Sequence, residues 1–309
     1  MRQFKDLVLI FAIMISVLIP VFNYDILPLV RELHQQLEGC NIPFEVRCLE
    51  DASDEELFEQ NRDISSFKRI FHSNNDKNLG RTLTRQKLAE RAKYDWLLFL
   101  DADVMPCSND FVKHYIRLIN ARYDAIFGGI AYNDEKPSKH LRLRWAYGKA
   151  KEEVKAANRN KNPFKHIVSA NFFIKKDLFL EINSKIDRNC YGLDNYFSSL
   201  LRVKRAQIYH IDNEVLHLGL EPSGDYIIKK EKAAETLLEL YNQGKVQQGQ
   251  NNLLNTYVKI KSFWLKGLFS TLFGLFKKPI RANLLSDQPY IFLLQLYRLG
   301  YMCHKNYNR

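Results

Sequence analysis

Short apolar runs alternate with amphipathic segments through the first half of the chain. An unbroken apolar run at residues 15–22 is followed by apolar positions at helical spacing. The runs FEVRCLED at 44–51 and WLLFLD at 96–101 flank a second helical pattern, RTLTRQKLAERA at 81–92. Strands that are apolar on both faces and are separated by helices are typical of a parallel sheet covered on both sides. We therefore predict an α/β fold with a mostly parallel central sheet and flanking helices.

The same pattern continues beyond residue 120, with one interruption. The basic segment between residues 136 and 165 shows little periodicity, so we predict a surface insertion or loop there. A helix is predicted at residues 194–202. Further strands are predicted from four apolar runs, at residues 125–132, 167–177, 206–212 and 214–219.

The first residues of the chain include an apolar stretch, from Leu7 to Ile19, behind two basic residues. This stretch suggests a signal peptide or a membrane anchor. It is shorter than the ~20 apolar residues that span a bilayer, and no small-residue cleavage site follows it. We therefore interpret SVLIPVFN as the first strand, and residues 1–13 as a lead-in.

The character of the chain changes from about Ser262, where large apolar residues mix with lysines. A helix here brings one apolar face together, and PYIFLLQLYRLGYMC at 289–303 forms a second short apolar helix. Both helices either pack on the domain before them or lie in the plane of a membrane surface. The predicted apolar face consists of Phe263, Trp264, Leu268, Leu272 and Leu275.

Charge favours the membrane alternative for this region. The chain of 309 residues has a formal net charge of +11, which indicates an anionic partner such as a nucleotide, a membrane surface or nucleic acid. Much of this excess follows Lys229. The five cysteines include no CxxC pair and no Cys/His ligand spacing, which argues for a reducing compartment and against a disulfide or zinc framework.

Two carboxylates separated by one alanine, Asp101-Ala102-Asp103, end the apolar run at 96–100. Residues two apart in a strand point the same way, and two acids on one face repel each other unless a cation or a set of donors lies between them. The alternatives are a solvated turn at the strand end and a site for Mg2+ or Mn2+, which prefer carboxylate oxygens.

Arg81 and Arg85 lie one turn apart at the start of the predicted helix at 81–92. Backbone N–H groups and two guanidiniums at a helix N-terminus suit a phosphate. The alternative is a pair of solvated surface arginines. Beside the acidic pair, the arginines favour a nucleotide diphosphate.

Taken in order, five motifs resemble family 2 glycosyltransferases of the GT-A fold over roughly residues 14–220. The motifs are SVLIPVFNYD, LEDASDE, NLGRTLTRQKLAERA, LLFLDADV and YGLDNYFSSLL. The resemblance implies a glycosyltransferase domain at residues 14–225. The hydrophobic pattern predicts that a helical linker at 226–261 and amphipathic helices at 262–309 follow it. Two positions depart from the family pattern: Glu50 precedes Asp51 where two aspartates are usual, and Leu193 replaces a glutamate.

The resemblance also implies roles for single residues in donor binding. Asp101 would bind the ribose, while Asp103 and His217 would hold the metal on the diphosphate; a lone histidine on an apolar strand is more often a core residue. Asn171 interrupts an apolar strand with an amide, so it either contacts the donor sugar, with Ala102, or makes a structural contact. The nucleoside would lie against Pro20, Val21, Phe22 and Asp51.

Transfer to an acceptor hydroxyl requires a carboxylate that takes the proton. Asp194 lies two residues after Gly192, at the start of the predicted helix at 194–202, and resembles the acid of the family's catalytic motif. We predict that Asp194 is the general base. The alternative is a helix N-cap, a position that Asp favours.

These assignments predict an inverting, metal-dependent transferase. The donor would be a UDP-sugar, and the acceptor a glycan or lipid-linked molecule of cell-surface polysaccharide or glycoconjugate synthesis. We expect a cytoplasmic protein held on the inner face of the cell membrane, without a nucleic-acid partner. Two alternatives remain: a nucleotidyltransferase, although a glycine-rich phosphate loop is missing after the first strand, and a non-catalytic basic protein that binds membranes or nucleic acid.

Overall fold

The computed structural model describes residues 13–307, and a twisted seven-stranded sheet forms its centre. The strand order is β3-β2-β1-β4-β8-β6-β9, with β3, β2, β1 and β4 parallel and β8 antiparallel to both of its neighbours. The strands of this sheet are β1 (Ile15–Val21), β2 (Phe44–Glu50), β3 (Ile70–Asn74), β4 (Trp96–Leu100), β6 (Ala125–Phe127), β8 (Asn171–Lys175) and β9 (Ile208–His210).

A small second sheet lies beside the carboxyl end of β4 in the order β5-β10-β7. Its strands are β5 (Val104–Pro106), β7 (Ile130–Ala131) and β10 (Val215–His217). The antiparallel pairing of β5 with β10 sets His217 opposite Val104. Residues 113 positions apart in the chain therefore meet directly after the acidic pair.

Helices cover both faces of the main sheet because its strands are apolar on both faces. In β4, Leu97 and Phe99 enter one core, whereas Trp96, Leu98 and Leu100 enter the other. The helices of the first half are α1 (Leu27–Glu38), α2 (Glu55–Asn61), α3 (Arg81–Arg91) and α4 (Phe111–Ile116). Those of the second half are α5 (Arg142–Tyr147), α6 (Ala156–Arg159), α7 (Lys176–Asn183), α8 (Asp194–Val203), α9 (Ser223–Asn242), α10 (Asn252–Ser262), α11 (Lys266–Leu284) and α12 (Ile291–Tyr307).

The fold class is confirmed, and one local prediction is wrong. The segment at 136–165 is not a loop but a succession of short helical turns, including α5, a π-turn at Gly148–Glu152 and α6. Each turn is too short to show a regular period. The segment also contributes buried charged residues, among them Arg144 and Arg159.

The C-terminal helices pack on the domain along one side, which is one of the two arrangements that the sequence left open. Leu299 and Met302 of α12 join the core beneath the main sheet, and Phe273 of α11 packs with Tyr297. The other face of α11 stays exposed, as described below. Among residues 13–307, no helix is long and apolar enough to cross a membrane. The predicted lead-in at residues 1–13 lies outside the described residues except for Ile13.

Candidate active site

A cleft of about 440 Å³ opens at the carboxyl ends of β1, β2 and β4. Parallel strands bring these ends to one edge, which is where open α/β sheets bind ligands. Tyr24 and Lys229 also border the cleft, although neither was predicted. The predicted residues that line it are Pro20, Val21, Phe22, Asp51, Arg81, Asp101, Ala102 and Asp103.

Asp51 holds the loop that leads into α3. Its side chain is buried, and it accepts hydrogen bonds from the backbone N–H groups of Leu79 (2.9 Å) and Gly80 (2.7 Å) and from Asn75 Nδ2 (3.0 Å). Gly80 has φ 80°, a left-handed conformation that glycine adopts without strain. Asp51 thereby fixes the direction in which α3 starts and the position of Arg81.

Asp101 is bound by both predicted arginines. Arg85 Nη2 donates to Asp101 Oδ1 at 2.7 Å, and Arg81 Nη2 donates to Oδ2 at 2.8 Å. Burial, together with the charge of Arg81, lowers the pKa of Arg85 to about 10, so Arg85 remains charged at neutral pH. Arg85 is buried and Arg81 is exposed, and both are bound to the first acid of the motif.

Asp103 lies on the opposite side of the motif, next to His217. The distance from His217 Nε2 to Asp103 Oδ2 is 3.5 Å. Burial and the negative charge of Asp101 raise the pKa of Asp103 to about 6, while burial and the positive charge of Arg144 lower the pKa of His217 to about 4. A cation between these two groups would favour the charged carboxylate and the neutral imidazole.

Asp103 and His217 suit a divalent metal whose remaining ligands come from a substrate. His217 Nδ1 is buried without a hydrogen-bond partner, and a Cβ at Gly219 would lie 2.0 Å from Asp103 Oδ2. Within the described part of the chain, no cluster of three or more His, Cys, Asp or Glu side chains forms a complete metal site. Mg2+ commonly takes one or two protein ligands and completes its shell with substrate phosphates and water, which agrees with Asp103 and His217 alone.

Asp194 faces the same region from α8. It is the first residue of that helix, makes no capping hydrogen bond, and is exposed. It lines a polar extension of the cleft together with Asp101, Asp103 and His217. The N-cap alternative is therefore not what the structure contains, and the carboxylate is free of hydrogen bonds and ion pairs within residues 13–307.

The sequence model of glycosyl transferase family 2 matches residues 16–182, more than half of the chain. The chain belongs to this family. Its central domain is thus a glycosyltransferase domain, which argues against a non-catalytic binding protein and against a nucleotidyltransferase. No curated protein sequence matches the chain.

Solved structures agree with the family assignment. The chain is similar to the mannosyltransferase PcManGT from Pyrobaculum calidifontis, in complex with GDP-Man and Mn2+, with a TM-score of 0.52 and 12% identity over 75% of this chain. The chain spans 65% of the length of that mannosyltransferase. This likeness shows that the family 2 chain shares the GT-A fold.

Two further structures are similar at lower scores. S. aureus TarS 1–349 in complex with UDP-GlcNAc has a TM-score of 0.49 and 15% identity, covering 96% of this chain and 91% of that one. Glucosyl-3-phosphoglycerate synthase from Mycobacterium tuberculosis, in complex with Mn2+, UDP and glucosyl-3-phosphoglycerate, has a TM-score of 0.48 and 12% identity, covering 72% and 78%.

The structure places Asn171 in the core of this family 2 chain, whereas the sequence predicted a contact with the donor sugar. Its side chain is fully buried in β8. The amide oxygen accepts from the hydroxyl of Tyr115 (2.6 Å), and Nδ2 donates to the carbonyls of Gly129 (3.0 Å) and Asn213 (2.8 Å). The residue therefore makes the structural contact that the sequence left as the alternative.

A charged cluster that was not predicted from the sequence lies in the polar extension of the cleft beside Asp103. Arg144 Nη1 donates to Glu152 Oε2 at 2.9 Å, and the hydroxyl of Tyr132 also donates to Glu152. Arg144 and Glu152 line the polar extension of the cleft with Glu221. Both come from the segment at 136–165, whose lack of periodicity concealed their burial.

Proposed function

We propose that this chain is an inverting glycosyltransferase that takes its sugar from a UDP-sugar. The acceptor is a glycan or lipid-linked molecule of cell-surface polysaccharide or glycoconjugate synthesis. One observation carries the proposal. Two arginines donate hydrogen bonds to Asp101, and Asp103, His217 and Asp194 line the same cleft as Asp101.

The donor nucleotide occupies the edge of the main sheet. The base lies between Asp51 and Phe22, which is 55% exposed at the rim and can cover an aromatic ring. The ribose reaches Asp101, and Ala102 leaves room for the donor sugar. Arg81 at the start of α3 then lies beside the diphosphate, where a guanidinium and the N-terminus of a helix both favour negative charge.

Asp103 and His217 would hold a divalent metal, Mg2+ or Mn2+, beside the diphosphate. When bound, such an ion stabilises the negative charge that develops on the departing diphosphate. Asp103 supplies a hard carboxylate oxygen, and His217 supplies a neutral ring nitrogen whose orientation is fixed by its place in β10. Arg81 adds positive charge from the opposite side.

Asp194 acts on the acceptor. The acceptor hydroxyl attacks the anomeric carbon while the bond from that carbon to the diphosphate oxygen breaks, and the bonding electron pair leaves with the diphosphate. The carboxylate of Asp194 takes the hydroxyl proton as the new C–O bond forms. A single displacement of this kind inverts the anomeric configuration.

The test is a thermal-shift series with UDP, GDP, CDP and TDP, each with and without Mn2+. The proposal predicts that UDP stabilises the protein, that Mn2+ increases this shift, and that the other nucleotides act more weakly, because a ligand stabilises the folded state according to its affinity. Protein without a response to any nucleotide would contradict the transferase proposal, and a larger shift with GDP would contradict the choice of UDP.

The exposed face of the C-terminal helices supports a position on the membrane surface. Trp264 is 93% exposed, and Leu275 and Leu268 are 68% and 54% exposed. Leu268, Leu275, Lys277 and Lys278 lie on α11, whereas Trp264 lies in the turn before this helix and not on the predicted helical face. Exposed apolar side chains flanked by lysines favour insertion into the interface of an anionic bilayer, so we extend the proposal to peripheral attachment at the inner face of the cell membrane.

Vesicle sedimentation tests this attachment. Vesicles with phosphatidylglycerol should sediment the protein, whereas vesicles of phosphatidylcholine alone should sediment much less. Trp264→Glu should reduce sedimentation, and Tyr209→Glu, a substitution in β9 at the far edge of the main sheet, serves as the matched control. Equal sedimentation of wild type and Trp264→Glu would contradict membrane attachment through this face.

A further inference from the structure

A second cavity, of about 250 Å³, lies directly behind Asp194. It is formed by β8, α7, the start of α8 and the segment before α8. Its wall is mainly apolar, in contrast to the polar cleft in front of Asp194. The apolar part of the wall includes Ile167, Phe172, Phe179, Ile186, Leu193 and Phe197.

One buried polar atom in this wall has no partner. Arg85 lines the cavity, is 7% exposed, and uses Nη2 for its bonds to Asp101 and to the carbonyl of Ser169. Its Nε is buried and makes no hydrogen bond among the described residues. Buried donors are normally satisfied, so the Arg85 side chain, which lines the cavity, retains one unused hydrogen-bond donor.

Asp194 and Arg81 border both spaces, the apolar cavity and the polar cleft with Asp101 and Asp103. A molecule whose hydroxyl lies at Asp194 can therefore extend away from the donor into the cavity. The nucleotide site at Asp51 and Phe22 is not part of the cavity wall, so the two spaces do not compete for the same ligand.

We propose that this cavity binds an apolar group of the acceptor, an aryl or short alkyl substituent next to the hydroxyl that receives the sugar. The proposal rests on the proposed transfer at Asp194 and names the acceptor class for it. An oxygen that links the substituent to the rest of the acceptor would accept the hydrogen bond from Arg85 Nε.

Size and polarity define the substituent. An apolar cavity of ~150 Å³ binds benzene, so this larger cavity has room for an aromatic ring with a few further carbon atoms and not for a long polyprenyl chain. An unsubstituted sugar would bury hydroxyl groups against phenylalanine and isoleucine, which is unfavourable without hydrogen bonds.

Cys190 provides a readout that does not depend on turnover, because it is exposed and lines the cavity. In a Cys107→Ser background, which removes the other exposed cysteine, the rate of maleimide labelling at Cys190 is followed by mass spectrometry with UDP and Mn2+ present. The probes are phenyl β-glucoside, methyl β-glucoside and benzyl alcohol. We expect the phenyl glucoside and benzyl alcohol to slow labelling about fivefold at high occupancy, and the methyl glucoside to leave it unchanged.

Variants test whether protection arises in the cavity. Ile186→Phe fills part of it and should abolish protection by the phenyl probes. Ile228→Phe makes the same substitution at an exposed position of α9 and should retain protection. Should Ile186→Phe fail to fold, Thr82→Phe, at the partly exposed rim, replaces it.

The outcomes separate this proposal from the proposed function. Equal labelling rates with all three probes, or protection by the methyl glucoside as strong as by the phenyl glucoside, would overturn the cavity proposal while the UDP-dependent thermal shift persists. Loss of that thermal shift in the parent protein would instead contradict the transferase function itself.

Discussion

The two acids of the Asp101-Ala102-Asp103 motif lie in opposite surroundings. On the nucleotide side, Asp101 is bound by Arg81 and Arg85, and the neighbouring Asp51 is bound by backbone N–H groups. On the transfer side, the Asp103 side chain makes a single ion-pair contact among residues 13–307, with His217 at 3.5 Å. Asp51 and Asp101, on the nucleotide side, are thus fixed by hydrogen bonds within the protein. Asp103 and Asp194, which would meet the metal and the acceptor, keep carboxylate oxygens that can still bind a ligand.

This difference has a physical reason. Groups that orient a ligand act best when their own positions are fixed before binding, and Asp51 and Asp101 are fixed by short hydrogen bonds. A carboxylate that takes a proton or a metal must not be neutralised by a permanent partner. Asp103 has no permanent cationic partner, so burial and the negative charge of Asp101 raise its pKa to about 6.

Asp194→Asn should have the largest effect. Without the carboxylate, the acceptor proton has no base, so turnover should fall about 1,000-fold, while UDP affinity with Mn2+ stays unchanged. Radiolabelled sugar transfer measures the first and calorimetry the second. Asp187→Asn, an exposed acid shortly before α8, is the matched control and should keep full turnover. Equal turnover in both variants would remove Asp194 from the reaction.

Asn171→Ala tests the corrected residue, which the structure assigns to the core. The substitution leaves the hydroxyl of Tyr115 and two backbone carbonyls without partners, and should lower the free energy of unfolding by about 3 kcal/mol. Urea unfolding measures this loss, with exposed Asn158→Ala as the control. A variant of normal stability with weakened UDP affinity would instead restore Asn171 as a binding residue.

Asp101→Asn tests the nucleotide side of the motif. The substitution removes the negative charge that Arg85 and Arg81 both contact, so the free energy of unfolding should fall by about 2 kcal/mol. Urea unfolding in EDTA excludes contributions from bound metal. An unchanged free energy of unfolding would show that the ion pairs of Asp101 with Arg81 and Arg85 contribute no stability. It would contradict the difference between a fixed Asp101 and a free Asp103.

Asp103→Asn should act in the opposite direction in the same assay. Because the pKa of Asp103 is raised in the folded protein, its ionisation costs stability as pH rises from about 4 to 6. The variant should therefore exceed wild type by about 3 kcal/mol above pH 6 in EDTA, and this advantage should disappear near pH 4. A variant less stable than wild type at pH 7.5 would show that Asp103 is held as firmly as Asp101.

The nucleotide side was largely predictable because parallel strands impose their own geometry. The carboxyl ends of parallel strands lie at one edge of the sheet. Pro20, Asp51 and Asp101 therefore lie close together independently of the conformation of the loops. The position of His217 could not follow from its own strand, which is only three residues long. It depends on the register between β5 and β10.

The residues that sequence analysis misassigned depend on contacts between distant loops. Asn171 interrupts an apolar strand, which is consistent with a ligand contact, but its partners come from Gly129 and Asn213, for which no pattern exists in the sequence. Arg144 and Glu152 lie in consecutive short α- and π-helical turns. Their ion pair is buried only because α9 packs against α5, a tertiary contact without local periodicity.

Calorimetric titration of UDP with and without Mn2+, into wild type, Asp103→Asn and Asp194→Asn, measures whether the metal contributes to nucleotide binding through Asp103. We expect Mn2+ to strengthen UDP binding to wild type and to Asp194→Asn, and not to strengthen binding to Asp103→Asn. An equal effect of Mn2+ on all three proteins would contradict the division of the cleft into a side that holds the nucleotide and a side that holds the metal.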